Sequence, residues 1–198
     1  MQMSGLKYKK ILRVKSLIKI KIMTKKERKK DFRELYIGIG SNVGKPIENV
    51  NNALGHLSKL DIFDCMKISS FYESLPMGPS NQNNYINAAA MFKSSESPED
   101  ILILLKDIEF SMGRKKSKVR WSERIIDLDI ILYGNLVYSS DTLTIPHINA
   151  CERAFVLLPV LDIDPNIIIP NKGIAKDLVK SCLYKDIKKI KNNERLNF

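Results

Sequence analysis

Residues 35–133 read, in order, as strand, helix, strand, strand, helix, strand. That order predicts an α+β fold: a ferredoxin-like βαββαβ core with an antiparallel sheet, followed by extra C-terminal elements. Two further observations agree. Apolar residues recur at every second position in the strand segments and every third or fourth in the helical ones. An apolar content of 44% over 198 residues supports one packed domain with tails.

Each element has a local reason. Residues 35–40 (LYIGIG) form a short buried strand that enters a glycine-rich turn at 40–44 (GSNVG). Pro46 fits the first turn of a helix, and Ile47, Val50, Leu54 and Leu57 share one face of it. The glycines match no nucleotide-loop fingerprint. The sixth position of GxGxxG is Val43, and Gly44-Lys45 is followed by Pro46 rather than Ser or Thr, so they read as turn formers. Residues 62–72 give a second strand and 74–83 (SLPMGPSNQN) a long surface loop. Residues 85–92 (YINAAAMF) give a third strand with Tyr85 and Asn87 on the same face. Ser97 is an N-cap, with Pro98 behind it and the acids Glu99 and Asp100 in the first turn. Ile101, Leu104, Leu105, Ile108 and Met112 form the buried face of that helix, and Gly113 ends it. A fourth strand spans 126–133 and turns at Gly134-Asn135. Beyond it lie 143–147 (LTIPH), a helix around 153–161, the segment 167–170 and a last helical stretch from Ile174.

Charge divides the chain further. Residues 1–33 hold thirteen Lys or Arg and two acids, 13 − 2 = +11, and the other 165 residues hold twenty of each sign. The folded part is therefore not a basic, nucleic-acid-like surface. Residues 1–33 are expected to be a disordered basic extension, 34–172 the domain, and 173–198 a C-terminal helix with a frayed tail. No apolar run is long enough to span a bilayer. Cys65, Cys151 and Cys182 are odd in number and widely spaced, which fits a reduced, cytoplasmic setting. Two histidines, His56 and His147, argue against a zinc centre.

The chemistry concentrates in 113–130 (GRKKSKVRWSERIIDLDI), which combines six basic side chains with three carboxylates. Asp127 and Asp129 are two apart on a strand, so they point the same way, ~6.5–7 Å apart. Carboxylates hold hard cations and arginines hold phosphate oxygens, so the pair reads either as a Mg²⁺ site for a polyphosphate or as the solvated face of an edge strand.

The chain resembles the 6-hydroxymethyl-7,8-dihydropterin pyrophosphokinase family of folate biosynthesis. The resemblance rests on IGSN (39–42), SSFYESLPMGP (69–79), YINAA (85–89), GRxxxxxRW (113–121), RIIDLDI (124–130), and TIPH (144–147) followed by Arg153 and Phe155. It implies transfer of a diphosphate from ATP to the pterin's hydroxymethyl oxygen, with release of AMP. By position, Asp127 and Asp129 would hold two Mg²⁺ ions, and Arg114 and Arg124 would clamp phosphates as catalytic residues. Ser74, Met77, Tyr85, Asn87, Trp121 and Phe155 would bind the pterin, with Tyr85 and Phe155 sandwiching the ring and Asn87 offering both a donor and an acceptor. Glu109, Ile130, Thr144, His147 and Arg153 fall with the two arginines at ATP-side positions. His147, beside Pro146, reads equally as structural. The chain departs from relatives at Ser122-Glu123, where Gly-Pro is usual, and at Thr142 and Ile148. The implied enzyme is a monomer acting on small molecules, with no membrane or nucleic-acid partner. The alternative is a ferredoxin-like RNA- or partner-binding module without catalysis, though 36–40 (YIGIG) and 127–133 (DLDIILY) lack the aromatic signature of that class.

A chain beginning at Met23 is expected to fold and to keep its turnover. Loss of turnover with the fold intact would give the basic extension a role.

Overall fold

A central strand, β1 (Arg33–Ser41), organises the molecule in a computed structural model that describes residues 31–77, 81–115, 122–183 and 186–190. The described elements beyond Asp31 lie in one unit, Phe32–Phe198. After β1 come α1 (Pro46–Leu57), β2 (Asp64–Ile68), β3 (Tyr72–Ser74), β4 (Tyr85–Ser94), α2 (Pro98–Ser111) and β5 (Asp127–Tyr133). The chain continues through β6 (Tyr138–Ser139), β7 (Thr144–Ile145), a 3-10 turn (Ala150–Glu152), α3 (Ala154–Ile163), β8 (Ile168–Ile169), β9 (Gly173–Ile174), α4 (Ala175–Ser181) and β10 (Ile187–Lys189). The fold is mixed α/β around an antiparallel sheet of order β10-β3-β4-β1-β5, with β2 also paired to β4.

Alternation along β1 creates two layers. Leu35, Ile37 and Ile39 point to one side, where they pack with Val50, Leu54 and Leu57 of α1 and Ile101, Leu105 and Ile108 of α2. Tyr36 points to the other side, into a second cluster with Ala89, Met91, Leu132, Leu157 and Val160. The helix ends follow their sequence signals. Ser97 caps α2 by accepting the Asp100 N–H at 3.2 Å, and Gly113 leaves the helix at φ +94°. The β1–β5 register steps by one: Tyr36 faces Leu132 while Ile37 faces Ile130. Ile131 is the extra, bulged residue, and its carbonyl accepts the His147 N–H at 3.0 Å. The bulge thus anchors the segment that follows β7.

Three expectations are corrected. The strand expected over 62–72 is two strands. Ser70 leaves the ladder because its N–H is taken by the Asp162 carboxylate at 3.0 Å, while Ser69 still exchanges bonds with Ala89 at 2.9 Å. Gly40 and Ser41 belong to β1 and not to a turn; the turn proper is at Gly44, φ +67°. The tail is not frayed at 187–189, because β10 pairs antiparallel with β3, Ile187 opposite Ser74. Lys189 fastens it by donating to Asp162 at 3.0 and 3.1 Å. Among the described residues no helix is long and apolar enough to cross a membrane.

Burial pushes the Asp162 carboxyl up, but bonds from Lys189, Ser70 and Tyr72 outweigh it and hold the group below its ordinary 3.8. A depressed folded-state value adds stability above the unfolded value and loses it as pH falls through the folded one. Asp162→Asn is expected to unfold at lower urea than the wild type near neutral pH, with the gap closing as the pH is taken below 3.8. A gap that stayed constant into strong acid would show that the charge does not fasten the tail.

Candidate active site

The face of β1 opposite the α1/α2 layer carries two glycines where side chains would otherwise stand. Gly40 lies between Asp127 on β5 and Asn87 on β4, and Gly38 lies between Asp129 and Ala89. Over Gly38 the Ile131 side chain takes the space, 2.9 Å from where a Cβ would stand, whereas over Gly40 a furrow opens into a cavity of about 350 Å³. Ser74, Met77, Gln82, Tyr85 and Asn87 line one part of the cavity. Arg124, Asp127 and Asp129 line another, and His147, Asn149, Arg153 and Phe155 complete it. A Cβ on Gly40 would meet Asn87 Oδ1 at 3.7 Å and the Tyr85 ring at 3.8 Å, so anything larger than a methyl would fill the furrow.

The carboxylate end is a dense set of charges. Arg114 donates to Asp127 Oδ1 at 2.6 Å, and Arg124 donates to Asp127 Oδ2. Burial pushes the Asp127 carboxyl up, but the guanidiniums of Arg124 and Arg114 and the Lys106 ammonium pull harder and leave it below the usual carboxylate range. Asp129 is more open, with Lys106 Nζ 3.6 Å from one oxygen and His147 Nε2 4.0 Å from the other. Burial lowers His147 below its ordinary value despite Asp129, so the imidazole is neutral at neutral pH. The Arg124 backbone is held at both ends by Asn42, which is fully buried. Asn42 Oδ1 accepts the Arg124 N–H at 2.8 Å, and the Asn42 N–H donates to the Arg124 carbonyl at 3.1 Å. The Asn42 amide also donates to Gln82 Oε1 at 3.3 Å and to the Asn83 carbonyl at 3.4 Å, which ties the arginine to the opposite wall.

Tyr85 and Phe155 border the same cavity, and the Arg153 guanidinium lies 5.9 Å from the Phe155 ring centre. Asn87 donates both amide hydrogens internally, to Ser74 Oγ at 2.9 Å and to the Tyr72 carbonyl at 3.4 Å. Its oxygen faces Gly40 and the furrow, so it offers an acceptor only, which corrects the expectation of a donor and an acceptor together.

Residues 36–165 match the family described as 7,8-dihydro-6-hydroxymethylpterin-pyrophosphokinase (HPPK). A 2-amino-4-hydroxy-6-hydroxymethyldihydropteridine pyrophosphokinase of Haemophilus influenzae is 41% identical over 158 residues, 80% of this chain and 97% of that one. The chain belongs to the HPPK family. An Aquifex aeolicus relative of the same description is 38% identical over 69% of this chain and 83% of its own. A solved structure, the HPPK-DHPS triple mutant of Plasmodium falciparum, superposes with a TM-score of 0.65 at 14% identity. It covers 87% of this chain, while this chain spans half of that longer polypeptide. The binding-module alternative is not favoured by these relatives.

The candidate site residues named from sequence divide into four groups. Ser74, Met77, Tyr85, Asn87, Arg124, Asp127, Asp129, His147, Arg153 and Phe155 share one cavity. Arg114 and Glu109 lie behind Asp127, joined to each other at 2.5 Å, and Glu109 is buried. Ile130 sends its side chain into the core on the far face, so only its main chain could meet a ligand, and Thr144 lies on β7, outside the cavity lining. Trp121 lies outside the described residues. Sequence reasoning missed Gly38, Gly40, Gln82 and Asn149. The glycine signal was present in the period-two spacing within YIGIG, opposite the apolar Leu35-Ile37-Ile39 set.

Among the described residues no three metal-ligating side chains cluster. Asp127 and Asp129 still suit Mg²⁺, which takes one or two carboxylates and completes its shell with water and phosphate oxygens.

Gly40→Leu is expected to weaken ligand binding at least tenfold, on the order of a misfilled pocket, while the protein still unfolds cooperatively. Unchanged ligand affinity in calorimetry would show that the furrow is not the binding surface.

Proposed function

We propose that this chain transfers the terminal diphosphate of ATP to the hydroxymethyl oxygen of 6-hydroxymethyl-7,8-dihydropterin, giving the pterin diphosphate and AMP. The observation that carries this reading is a single cavity with a carboxylate–arginine end and an aromatic–amide end, set side by side on the sheet. The strand order supports reading the core as ferredoxin-like, with β5, β1, β4 and the β2/β3 pair in the places of its four strands. The activity named for the bacterial relatives supports the chemistry.

Asp127 and Asp129 would hold two Mg²⁺ ions, which when bound supply charge neutralisation and alignment of the phosphates. The chain's own groups do the rest. Arg124, on the cavity wall, and Arg114, behind Asp127, would meet polyphosphate oxygens, which their planar forks suit. Tyr85 and Phe155 both border the cavity and would flank a flat heterocycle, and the Asn87 oxygen would accept from an N–H on its edge. Neutral His147 can donate from one ring nitrogen without adding charge. No side chain in the cavity is placed as a dedicated base, so positioning and electrostatics supply most of the acceleration. The three cysteines form no disulfide, which fits a cytoplasmic enzyme, and we read it as a monomer acting on small molecules.

Incubation with ATP, Mg²⁺ and the hydroxymethyl dihydropterin is expected to yield AMP in step with pterin diphosphate. ADP as the nucleotide product would overturn diphosphate transfer. Asp127→Ala and Asp129→Ala are each expected to abolish turnover with the fold kept. Arg124→Ala is expected to lower kcat by about 10²–10³-fold, the order seen for loss of one charge-stabilising donor, with little change in pterin KM. Wild-type kinetics in both aspartate variants would remove the metal assignment.

A further inference from the structure

Among the described residues β5 is the last strand of the sheet, so the backbone groups on its outer edge have no neighbouring strand to bond. At Leu128, the residue between the two aspartates, α2 supplies the missing partners. Glu109 Oε1 accepts the Leu128 N–H at 2.7 Å, and Lys106 Nζ donates to the Leu128 carbonyl at 2.9 Å. The two side chains are three residues apart on α2 and bond each other at 2.8 Å. Each also reaches one of the carboxylates. Lys106 Nζ lies 3.6 Å from Asp129 Oδ1, and Glu109 meets Arg114, which donates to Asp127.

We infer that Lys106 and Glu109 form a clamp that grips both polar groups of Leu128 and so fixes the spacing and direction of Asp127 and Asp129. Both are positioning residues. Glu109 has one oxygen occupied by the Leu128 N–H, Lys106 and Arg114, and it is buried away from the cavity lining. It therefore acts on the strand and not on the nucleotide. Lys106 contributes a donor as well as a charge: it closes the one edge carbonyl whose rotation would turn Asp129. The clamp replaces a strand with a helix side-chain pair, and it does so at the only residue whose tilt changes both carboxylates at once. Its purpose rests on the reading of Asp127 and Asp129 as metal ligands.

Amide hydrogen exchange in the nucleotide-free protein tests the clamp without reference to activity. The Leu128 amide is expected to be protected in the wild type and in Glu109→Gln, which keeps the acceptor. In Glu109→Leu it is expected to exchange at least tenfold faster, while the Ile37 and Phe92 amides are unchanged. Mn²⁺ titration with a non-hydrolysable ATP analogue tests its purpose. Lys106→Met, at a half-exposed side chain, is expected to weaken Mn²⁺ binding by about 10–100-fold, the range for groups that orient metal ligands. Lys106→Arg, which keeps the donor, is expected to recover most of that loss, and nucleotide affinity in the absence of metal is expected to stay within about threefold. Unaltered Leu128 exchange in Glu109→Leu, or a loss confined to metal-free nucleotide affinity, would overturn the clamp. A failure of the metal reading itself is told apart by Asp127→Ala: Mn²⁺ affinity unchanged there would sink that reading while leaving the exchange result standing.

Discussion

The site depends on keeping Asp127 ionised although it is largely enclosed. A buried carboxylate without partners would take up a proton, and a neutral acid would neither hold a hard cation nor bind a guanidinium. Two arginines prevent this, one on each oxygen. Glu109 in turn compensates Arg114, and Lys106 compensates Glu109 and Asp129. The result is a connected set of three anions and three cations in which each charge is answered by its neighbours. Several members are partly exposed and have two partners, so removing one chiefly loosens the geometry of the others. Such a network constrains geometry more than it stabilises the fold.

Backbone features place that network on the sheet. Alternation puts Asp127 and Asp129 on one face of β5, and Gly40 of β1 keeps that face open between Asp127 and Asn87. The bulge at Ile131 holds the backbone of His147. Asn42 binds the Arg124 main chain on one side and the 82–83 segment on the other, so the carboxylate–arginine and aromatic–amide ends share a single buried amide. The IGSN stretch therefore contributes a furrow through its glycine and a tie through its asparagine, and neither is a phosphate loop.

Much of this was legible because it is local. The aspartate pair follows from the period of a strand, α2 from its capping residues, and the apolar faces of both long helices from spacing alone. What was not legible depended on partners distant in sequence. Ser69 and Ser70 carry no breaker signal; the strand parts there because Asp162 is near. The lysine-rich tail looked frayed because nothing in it signals that the edge of β3 is open to it. Gly40 was misread because a glycine before Ser-Asn-Val-Gly satisfies a turn as well as a strand, and only the ladder to Asn87 and Asp127 decides between them. Glu109 was read from sequence at an ATP-side position and Lys106 was not singled out, since an edge strand's need for partners is invisible until the sheet order is known.

The paired arginines set how the site would accept its substrates. On the proposed reading, the guanidiniums that would meet a polyphosphate are paired within the site: Arg124 and Arg114 on Asp127, and Arg114 also on Glu109. A nucleotide with roughly four negative charges arriving with two divalent cations is close to neutral as a unit. It can enter a balanced network without leaving a net buried charge. On that reading the exchange would be a trade of partners, with guanidiniums turning from Asp127 toward phosphate oxygens and the carboxylates turning toward cations. A bare nucleotide would set added negative charge beside Asp127, and bare cations would compete with the half-buried guanidiniums for it. Electrostatics of this kind favour joint entry of metal and nucleotide over either alone.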